Sequence, residues 1–445
     1  MTDSEPGRIY LDANATTRPF PEVIETVAHH LRLSYANPGS RHAEGRRARR
    51  VLDESREKIA VLLGASPDEV IFTSGGTEAS NMAIFGFAQT SPGSIALTVG
   101  EHPATLESCQ SLVQRGWSLH NLSVDSNGRL VEEQYVNLPW EELKLVTLIL
   151  AHNETGVIQD VAPLAQLCWE RSVPFHVDAV QAVGKIPIRF NELNATSLSL
   201  GAHKFHGPRG IGALLLRHGV KLAPFQFGGH QESGRRPGTE LVALAAGMAR
   251  ALELCCEDLG TRAAKLRAMR DQLEAGLREA CEPVVVNGSP EHRLPNTLNI
   301  SFPGVAGDAG GDGPKQLIAG MVAVAVVNLL ETVEVDVVKG KVATVTVRMR
   351  HGLVQPVVEQ VAVGQIRKCV VVGAVSDLLV RGPALGDILD RGHHPRPGLV
   401  IGLTEVGNRS NHQLLPALYR RVPRGRVPYG RIPDERTMFA GETIF

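Results

Sequence analysis

The stretch "ATSLSLGAHKFHGPRGIGALLLR" (residues 195–217) contains two apolar runs that are typical of buried strands, at 195–200 and 211–217. Lys204 stands just after the first run, and the glycines and proline that follow let the chain turn back into the second. In an open α/β sheet, ligands bind at the carboxyl ends of the strands. Lys204 is therefore a candidate ligand group, although a lone lysine can also be a solvated surface charge.

The same alternation of short apolar runs and helical patterns extends from about residue 20 to residue 260, which predicts an α/β fold with a mainly parallel sheet between helices. A long amphipathic segment at 258–281 predicts a helix that leads into a smaller α+β domain, which resumes at 294–304. The other predicted strands are 69–73, 94–99, 145–151 and 173–179, and predicted helices include 44–63, 78–89 and 161–171.

Composition excludes several classes of protein. The chain has 445 residues, a net charge of -1 and 43% hydrophobic residues, so it is expected to form two or more domains and not to bind nucleic acid. It has no apolar run of the roughly 20 residues needed to cross a bilayer and no signal-peptide pattern, so a cytoplasmic protein without membrane contact is expected. The six cysteines are scattered, which predicts neither a disulfide framework nor a metal site.

The character of the chain changes after about residue 305. Residues 306–314 are glycine-rich and typical of a linker, and about a third of residues 321–380 are valine, far above ordinary usage. The valine-rich part could form strands. Residues 419–436 contain several arginines, and this segment could bind an acidic partner or remain exposed to solvent without a partner. No chemistry is assigned to residues 306–445.

Polar residues follow each predicted strand of the first 300 residues. Gly76 and Thr77 open a helix after the strand 69–73, where free backbone N–H groups could hold a phosphate, or where the glycines could simply make a turn. Asp178 could pair with a protonated ring nitrogen, and Gln181 could bind a phenolic oxygen. Asp178 could instead ligate a metal together with His176, but no third ligand has a useful spacing.

Three further groups stand in equivalent places. His102 follows the strand 94–99, where a neutral imidazole could stack on a flat ring and move protons, and Asn153 follows the strand 145–151. His203 could donate to a phosphate or cap its loop. An amine such as Lys204, when buried near cations, loses its proton more easily and can form a Schiff base. Together these groups describe a pyridoxal phosphate site.

Nine ordered segments between residues 8 and 305 resemble the family of cysteine desulfurases, NifS-like enzymes and selenocysteine lyases, with the class V aminotransferase fold. They are YLDANATT, YANPGSRHAEGRRA, FTSGGTEASNMAI, EHPA, HNETGVIQDV, HVDAVQAVGK, GAHKFHGPRGIGAL, GGHQESGRRPGTE and LPNTLNISFPG. The resemblance implies a fold-type I pyridoxal phosphate enzyme, normally a homodimer. It also implies a division into residues 1–20 as an N-terminal segment of the small domain, 21–260 as the large domain and 261–305 as the start of the small domain.

The resemblance also implies residue roles. Lys204 would be the Schiff-base lysine, and His102 would stack on the cofactor ring and act in proton transfer. The other cofactor contacts would be Gly76, Thr77 and His203 at the phosphate, Asn153 beside cofactor and substrate, Asp178 at the pyridine nitrogen, Gln181 at the ring hydroxyl, and Thr239 reaching the phosphate from the other subunit. Family members carry a serine two or three residues before the lysine, where this chain has Gly201 and Ala202.

The implied reaction removes sulfur from L-cysteine to give alanine and an enzyme persulfide, which a sulfur-acceptor protein would use for iron-sulfur clusters or thio-cofactors. The family's mobile cysteine loop has no counterpart in residues 305–445. Cys369 stands in an apolar run, where a buried, unreactive thiol is expected. Arg348 resembles the family's arginine motif, but without the preceding loop we interpret this as chance. One hypothesis is that a frame shift, rearrangement or fusion supplied this region. Three functions stay open: a desulfurase, a selenocysteine lyase or related enzyme that needs no thiol, and an inactive homologue.

Overall fold

The computed structural model of this chain describes residue 10 and residues 12–88, 91–280 and 283–303. It also describes the backbone of three strands between residues 333 and 353. The predicted linker at 306–314, Cys369 and the arginine-dotted end at 419–436 lie outside the described residues.

The helices predicted at 44–63, 78–89 and 161–171 are confirmed as α2, α3 and α6. The helices of the described part are α1 (Pro21–Leu33), α2 (Ala43–Leu63), α3 (Gly76–Phe87), α4 (Pro103–Val113), α5 (Glu132–Val136), α6 (Ala162–Glu170), α7 (Val242–Glu257) and α8 (Leu259–Ala280). The long segment predicted at 258–281 corresponds to α8. Among the described residues, no helix is both long and apolar enough to cross a membrane.

All six predicted strands are present, each shifted by two residues or fewer at either end. The strands of the main sheet are β1 (Val70–Thr73), β2 (Ser94–Thr98), β3 (Ser118–Leu122), β4 (Leu143–Ile149), β5 (Phe175–Asp178), β6 (Ser197–Gly201) and β7 (Gly212–Leu216). Their order in the sheet is β1-β7-β6-β5-β4-β2-β3. The pairs β1–β7 and β6–β7 are antiparallel and the other four pairs are parallel, because the short loop after β6 reverses the chain directly into β7.

This topology brings the candidate groups to one edge of the sheet. The carboxyl ends of β1, β2, β4, β5 and β6 share that edge, and β7 begins there. Every residue of β5, β6 and β7 is buried, as expected for central strands covered on both faces. The main hydrophobic core contains the fully buried rings of Phe175, Phe190 and Phe205.

Smaller elements follow α8. Strands β8 (Val285–Val286) and β9 (Ile300–Ser301) form an antiparallel pair. Three strands lie in the valine-rich segment, as its composition allowed: β10 (Val333–Val338), β11 (Lys341–Met349) and β12 (Gly352–Leu353), paired in that order. Arg348 belongs to β11, where its backbone pairs with Leu353.

Candidate active site

Lys204 ends a short 3-10 helix, Ala202–Lys204, that directly follows β6. Its Nζ donates to the backbone oxygen of Asn14 at 2.6 Å. Burial lowers the pKa of Lys204 from its ordinary value, while the nearby carboxylates of Asp12 and Asp178 act in the opposite direction. The amine is thus more readily neutral than a surface lysine, which is the state in which it can act as a nucleophile.

Asp178 is the last residue of β5 and is 3% exposed. Its Oδ1 accepts from the backbone N–H of Val180 at 3.0 Å. Burial raises the pKa of Asp178, whereas this hydrogen bond and the charges of His102 and Lys204 lower it. A buried carboxylate in this position requires a cationic partner, and a protonated ring nitrogen would supply one.

Gln181 lies one turn beyond Asp178 and is 5% exposed. Its Nε2 donates to the backbone oxygen of Asn14 at 3.0 Å, so Gln181 and Lys204 share one acceptor. Its Oε1 accepts from Lys185 Nζ at 2.6 Å. Gln181 and Lys204 are therefore brought together in the structure through the N-terminal segment.

A narrow backbone cradle lies where α3 begins. Gly76 is buried, and a Cβ added there would lie 2.4 Å from Val180 Cγ2, so a larger residue does not fit without movement. Thr77 is exposed at the second position of α3, where backbone N–H groups lack helical partners. A Cβ at Gly201 would lie 3.3 Å from the backbone N of Gly76, so position 201 faces this cradle but offers it no hydroxyl. Ser199 hydrogen-bonds to Ser80 instead, at 2.9 Å.

His203 lies beside this cradle. Its Nδ1 is buried and has no hydrogen-bond partner among the described residues. Burial lowers the pKa of His203 to about 4, and the nearby charges of Lys204 and Arg209 act in the same direction. A neutral imidazole with an unused ring nitrogen can donate to an anion such as a phosphate oxygen.

His102 is the N-cap residue of α4, and its Nδ1 accepts from the backbone N–H of Ala104 at 3.0 Å. Burial lowers the pKa of His102, so the ring is neutral at pH 7 and Nε2 carries its proton. Asn153 is half-buried in the turn after β4, which is shaped by hydrogen bonds from the N–H groups of Glu154 and Thr155 to His152. These two residues stand at the same sheet edge as Lys204.

Thr239 is exposed on the loop between β7 and α7. Arg236 of this loop donates to Glu78 of α3 at 2.8 Å, and this contact keeps the pKa of Glu78 below its ordinary value although burial acts to raise it. A second ion pair joins Glu232 of the loop to Arg56 through two hydrogen bonds of 2.7 and 2.8 Å. The loop is thus fixed to its own subunit, with Thr239 left at the surface.

The segment YLDANATT carries part of the family resemblance, but the sequence alone assigned it no role. In the structure two residues of this segment contact the loop 202–211 that carries Lys204: Thr17 N–H donates to His203 O at 2.8 Å, and the backbone oxygen of Asn14 accepts from Lys204 Nζ. His206, for which no role was predicted, hydrogen-bonds to Arg18 O and stacks on Phe20 with ring centroids 4.2 Å apart. His206 therefore holds the N-terminal segment in place.

Glu101 is a second residue that sequence reasoning missed, although it precedes His102 in the motif EHPA. Its carboxyl group is buried, and Oε1 accepts from Thr98 Oγ1 at 2.5 Å and from Ile149 N–H at 2.9 Å. Oε2 is buried without a partner among the described residues. Burial raises the pKa of Glu101 to about 8, with a further contribution from the negative charge of Asp178. Glu101 is thus neutral at pH 7 and adds no second negative charge beside Asp178.

The residues present fit pyridoxal phosphate. The fit depends on three observations: the partnerless Nδ1 of His203, the cradle that a Cβ at Gly76 would fill, and the buried carboxylate of Asp178. His176, the alternative metal ligand, is fully buried; its Nδ1 hydrogen-bonds to Ser197 Oγ at 2.9 Å, and its Nε2 has no hydrogen-bond partner among the described residues. Within the described residues, no group of three or more His, Cys, Asp or Glu side chains could hold a metal ion.

Comparison with known proteins identifies the family of this chain. Residues 9–313 match the family described as aminotransferase class-V. The chain is 40% identical over 304 residues to the cysteine desulfurase NifS of Azotobacter vinelandii, covering 68% of this chain and 76% of that protein. It is also 40% identical over 304 residues to the cysteine desulfurase IscS of Dictyoglomus turgidum, covering 68% and 77%.

Solved structures show the same fold. A NifS-like protein superposes with a TM-score of 0.67 at 37% identity, covering 70% of this chain and 86% of the other. DndA from Streptomyces lividans superposes with a TM-score of 0.62 at 36% identity, covering 74% and 92%. The sheet and the helices on its faces have the fold-type I architecture of class V aminotransferases. This chain belongs to the class-V aminotransferase family and, within it, to the NifS-like cysteine desulfurases.

Proposed function

We propose that this protein is a pyridoxal-phosphate-dependent cysteine desulfurase, which converts L-cysteine to alanine and passes the sulfur on as a persulfide. The observation that carries the proposal is the environment of Lys204. Its amine has a lowered pKa, interacts with the charges of Asp12 and Asp178, and stands at the end of the sheet that also bears the phosphate cradle at Gly76. Relatives named cysteine desulfurases, 40% or more identical, support the same reaction.

The chain's own residues would share the work. Lys204 would hold the cofactor and, once free, take the α-proton of the substrate on Nζ. Bound pyridoxal phosphate supplies an electron-withdrawing ring that makes this proton acidic. Asp178 would keep the ring nitrogen protonated through a charge-assisted hydrogen bond, and Gln181 would donate to the phenolic oxygen. His102, neutral with its proton on Nε2, would move a proton at the substrate side.

The phosphate would be held by the backbone N–H groups of Gly76 and Thr77 and by His203, with Asn153 beside the substrate. These assignments are supported by the free N–H groups at the start of α3 and by the unused Nδ1 of His203. Thr239 would complete the phosphate site of a partner subunit. Its exposure on a loop that is anchored elsewhere supports this role.

The sulfur step requires a thiolate. A cysteine thiolate would attack the substrate sulfur, the carbon–sulfur bond would break as the new sulfur–sulfur bond forms, and the carbon would take up a proton to give alanine. Cys109, Cys168 and Cys255 are buried, and burial raises their pKa values to about 12, 12 and 11. The half-buried Cys256 also has a raised pKa. Cys281 and Cys369 lie outside the described residues.

The raised pKa values of these four thiols favour a second candidate function, cleavage of selenocysteine, because selenium could leave without a thiol nucleophile. Alanine release by the purified full-length protein with added pyridoxal phosphate separates the two. Release from L-cysteine in the presence of dithiothreitol, absent in a Lys204→Ala variant, would support the desulfurase. Release from selenocysteine alone would support the second candidate, and release from neither would mean an inactive homologue and overturn both.

The remaining parts of the proposal concern assembly. The protein would be a cytoplasmic homodimer that transfers sulfur to an acceptor protein. The homodimer is supported by Tyr35 and Phe227, which are 75% and 88% exposed and would be covered by a partner subunit. We retain residues 1–20 and 261–305 as parts of a small domain and 21–260 as the large domain. The origin of residues 306–445 in a frame shift or fusion stays a hypothesis, which resequencing of the locus would test.

A further inference from the structure

Lys185 is hydrogen-bonded to one residue of the candidate site, Gln181. It lies four residues after Gln181, is partly buried, and donates from Nζ to Gln181 Oε1 at 2.6 Å. Together with Lys204, Lys185 lines one cavity beneath the N-terminal segment. Sequence reasoning gave no role to this lysine, which ends the motif HVDAVQAVGK.

The two contacts of Gln181 fix which way its amide points. The ammonium form of Lys185 only donates, so it must face the carbonyl oxygen Oε1, and the neutral amine can still donate to the same oxygen. The backbone oxygen of Asn14 only accepts, so it must face the NH2 group at Nε2. The nitrogen and oxygen of a glutamine amide are usually assigned from such partners. Here the Lys185 contact and the Asn14 contact indicate the same orientation of the Gln181 amide.

The Nε2 group is therefore held on the side of the reactive lysine. It shares the Asn14 oxygen with Lys204 Nζ, and this contact uses only one of its two protons. The other proton stays available as a donor. Without Lys185, Gln181 Oε1 would be left buried without a donor, and the Asn14 contact alone would hold the amide in this orientation.

We infer that Lys185 is a positioning residue, which orients the Gln181 amide so that its NH2 group is offered as a donor to the phenolic oxygen of the cofactor. This inference rests on the proposed function, because it assigns the oxygen that Gln181 meets. A donor at the phenolic oxygen would stabilise negative charge on that oxygen. Loss of that donor would raise the pH at which the bound cofactor loses its proton.

The charged groups around Lys185 require a control for its charge. Burial lowers the pKa of Lys185 to about 7, and the positive charge of Lys204 contributes to this effect. Cys255 is the other titratable group whose interaction with Lys185 is appreciable, and Lys185 in turn contributes to the lowered pKa of His203. Removing Lys185 could thus raise the cofactor pKa through space as well as through Gln181, and the experiment must separate these two routes.

The test uses the full-length protein with bound cofactor. The absorption band of the cofactor at the edge of the visible range is followed as the pH is changed. Lys185→Met is expected to raise the midpoint by about one pH unit, roughly what one hydrogen bond to a charged oxygen contributes. Lys185→Arg, which keeps both donor and charge, should restore the wild-type midpoint. In a Gln181→Met background, Lys185→Met should produce no further shift. The exposed Lys221→Met serves as a control for removal of a charge elsewhere on the surface.

Two outcomes would overturn the positioning role while leaving the proposed function intact. One is a normal band in Lys185→Met with an unchanged midpoint. The other is an equal shift in the wild-type and Gln181→Met backgrounds, which would mean that the lysine charge acts through space. A wild-type protein that develops no band with added pyridoxal phosphate would instead refute the proposed function, and the positioning role with it.

Discussion

Replacement of Glu101 by glutamine should stabilise the protein increasingly as the pH rises. The pKa of Glu101 is about 8 in the folded state against 4.5 as its ordinary value, because the carboxyl group is buried beside Asp178. The folded state therefore prefers the neutral acid. Its contribution to stability is fully present below pH 4.5 and is lost progressively as the pH rises to about 8.

The magnitude follows from the linkage. Each pH unit between these two values costs the wild-type protein about 1.4 kcal/mol, so its stability should fall by about 3 kcal/mol between pH 5 and pH 7 from this group alone. The side-chain amide of the Glu101→Gln variant would keep the shape of the neutral acid and still accept from Thr98 and from Ile149 N–H. This variant should therefore match the wild type near pH 5 and exceed it by about 3 kcal/mol at pH 7.

Urea unfolding of the cofactor-free full-length protein at pH 5, 6, 7 and 8 measures this difference. Glu107→Gln, an exposed change on the helix that follows Glu101, is the matched control and should show no such trend. A Glu101→Gln variant whose stability relative to the wild type does not change with pH would refute the reasoning, since it would mean that Glu101 is ionised in the fold at neutral pH.

Three further predictions follow from the site. Gly76→Ala places a Cβ 2.4 Å from Val180 Cγ2 and should lower stability by about 1–3 kcal/mol and weaken cofactor binding, measured by unfolding and by cofactor titration. Gly75→Ala is its control, since a Cβ there meets no atom within 4 Å, and an equal loss in both variants would contradict the steric reason. Glu232→Gln should lower the free energy of unfolding by about 3 kcal/mol because it leaves the partly buried Arg56 without its ion pair, and a loss under about 1 kcal/mol would show that the pair stabilises little. Pyridoxal phosphate at about 100 times its Kd should stabilise the wild type by about 2.7 kcal/mol, whereas an unchanged Tm would argue against a specific site.

The central strands could be predicted from the sequence because burial on both faces makes them continuous apolar runs. Strand β3 was not predicted because it is the outermost strand of the sheet, and most of the residues in SLHNL are exposed or half-buried. The antiparallel direction of β7 could not be read from its composition, because an apolar run fits either direction. It depends on the short loop after β6, which leaves no room for a crossover helix.

Within the site, the side chains that directly follow strands could be predicted from the sequence. Groups that other parts of the chain contribute, such as the backbone oxygen of Asn14, could not. Lys204 and Asp178 follow strands whose ends meet at one edge. The main acceptor for Lys204 is a backbone oxygen, that of Asn14, and its position depends on how the N-terminal segment packs. Nothing in the sequence distinguishes Glu101 and Lys185 from other glutamates and lysines, because their unusual pKa values come mainly from burial in the fold.

Chemical trapping of the cofactor tests the central claim most directly. The full-length protein is incubated with pyridoxal phosphate, reduced with borohydride, digested and analysed by mass spectrometry. The cofactor mass should be fixed on Lys204 of the peptide that contains GAHKFHGPR, and the Lys204→Ala variant should carry no label. A label on Lys185 or on surface lysines alone, or an equal label in the variant, would contradict the assignment of Lys204 as the reactive lysine.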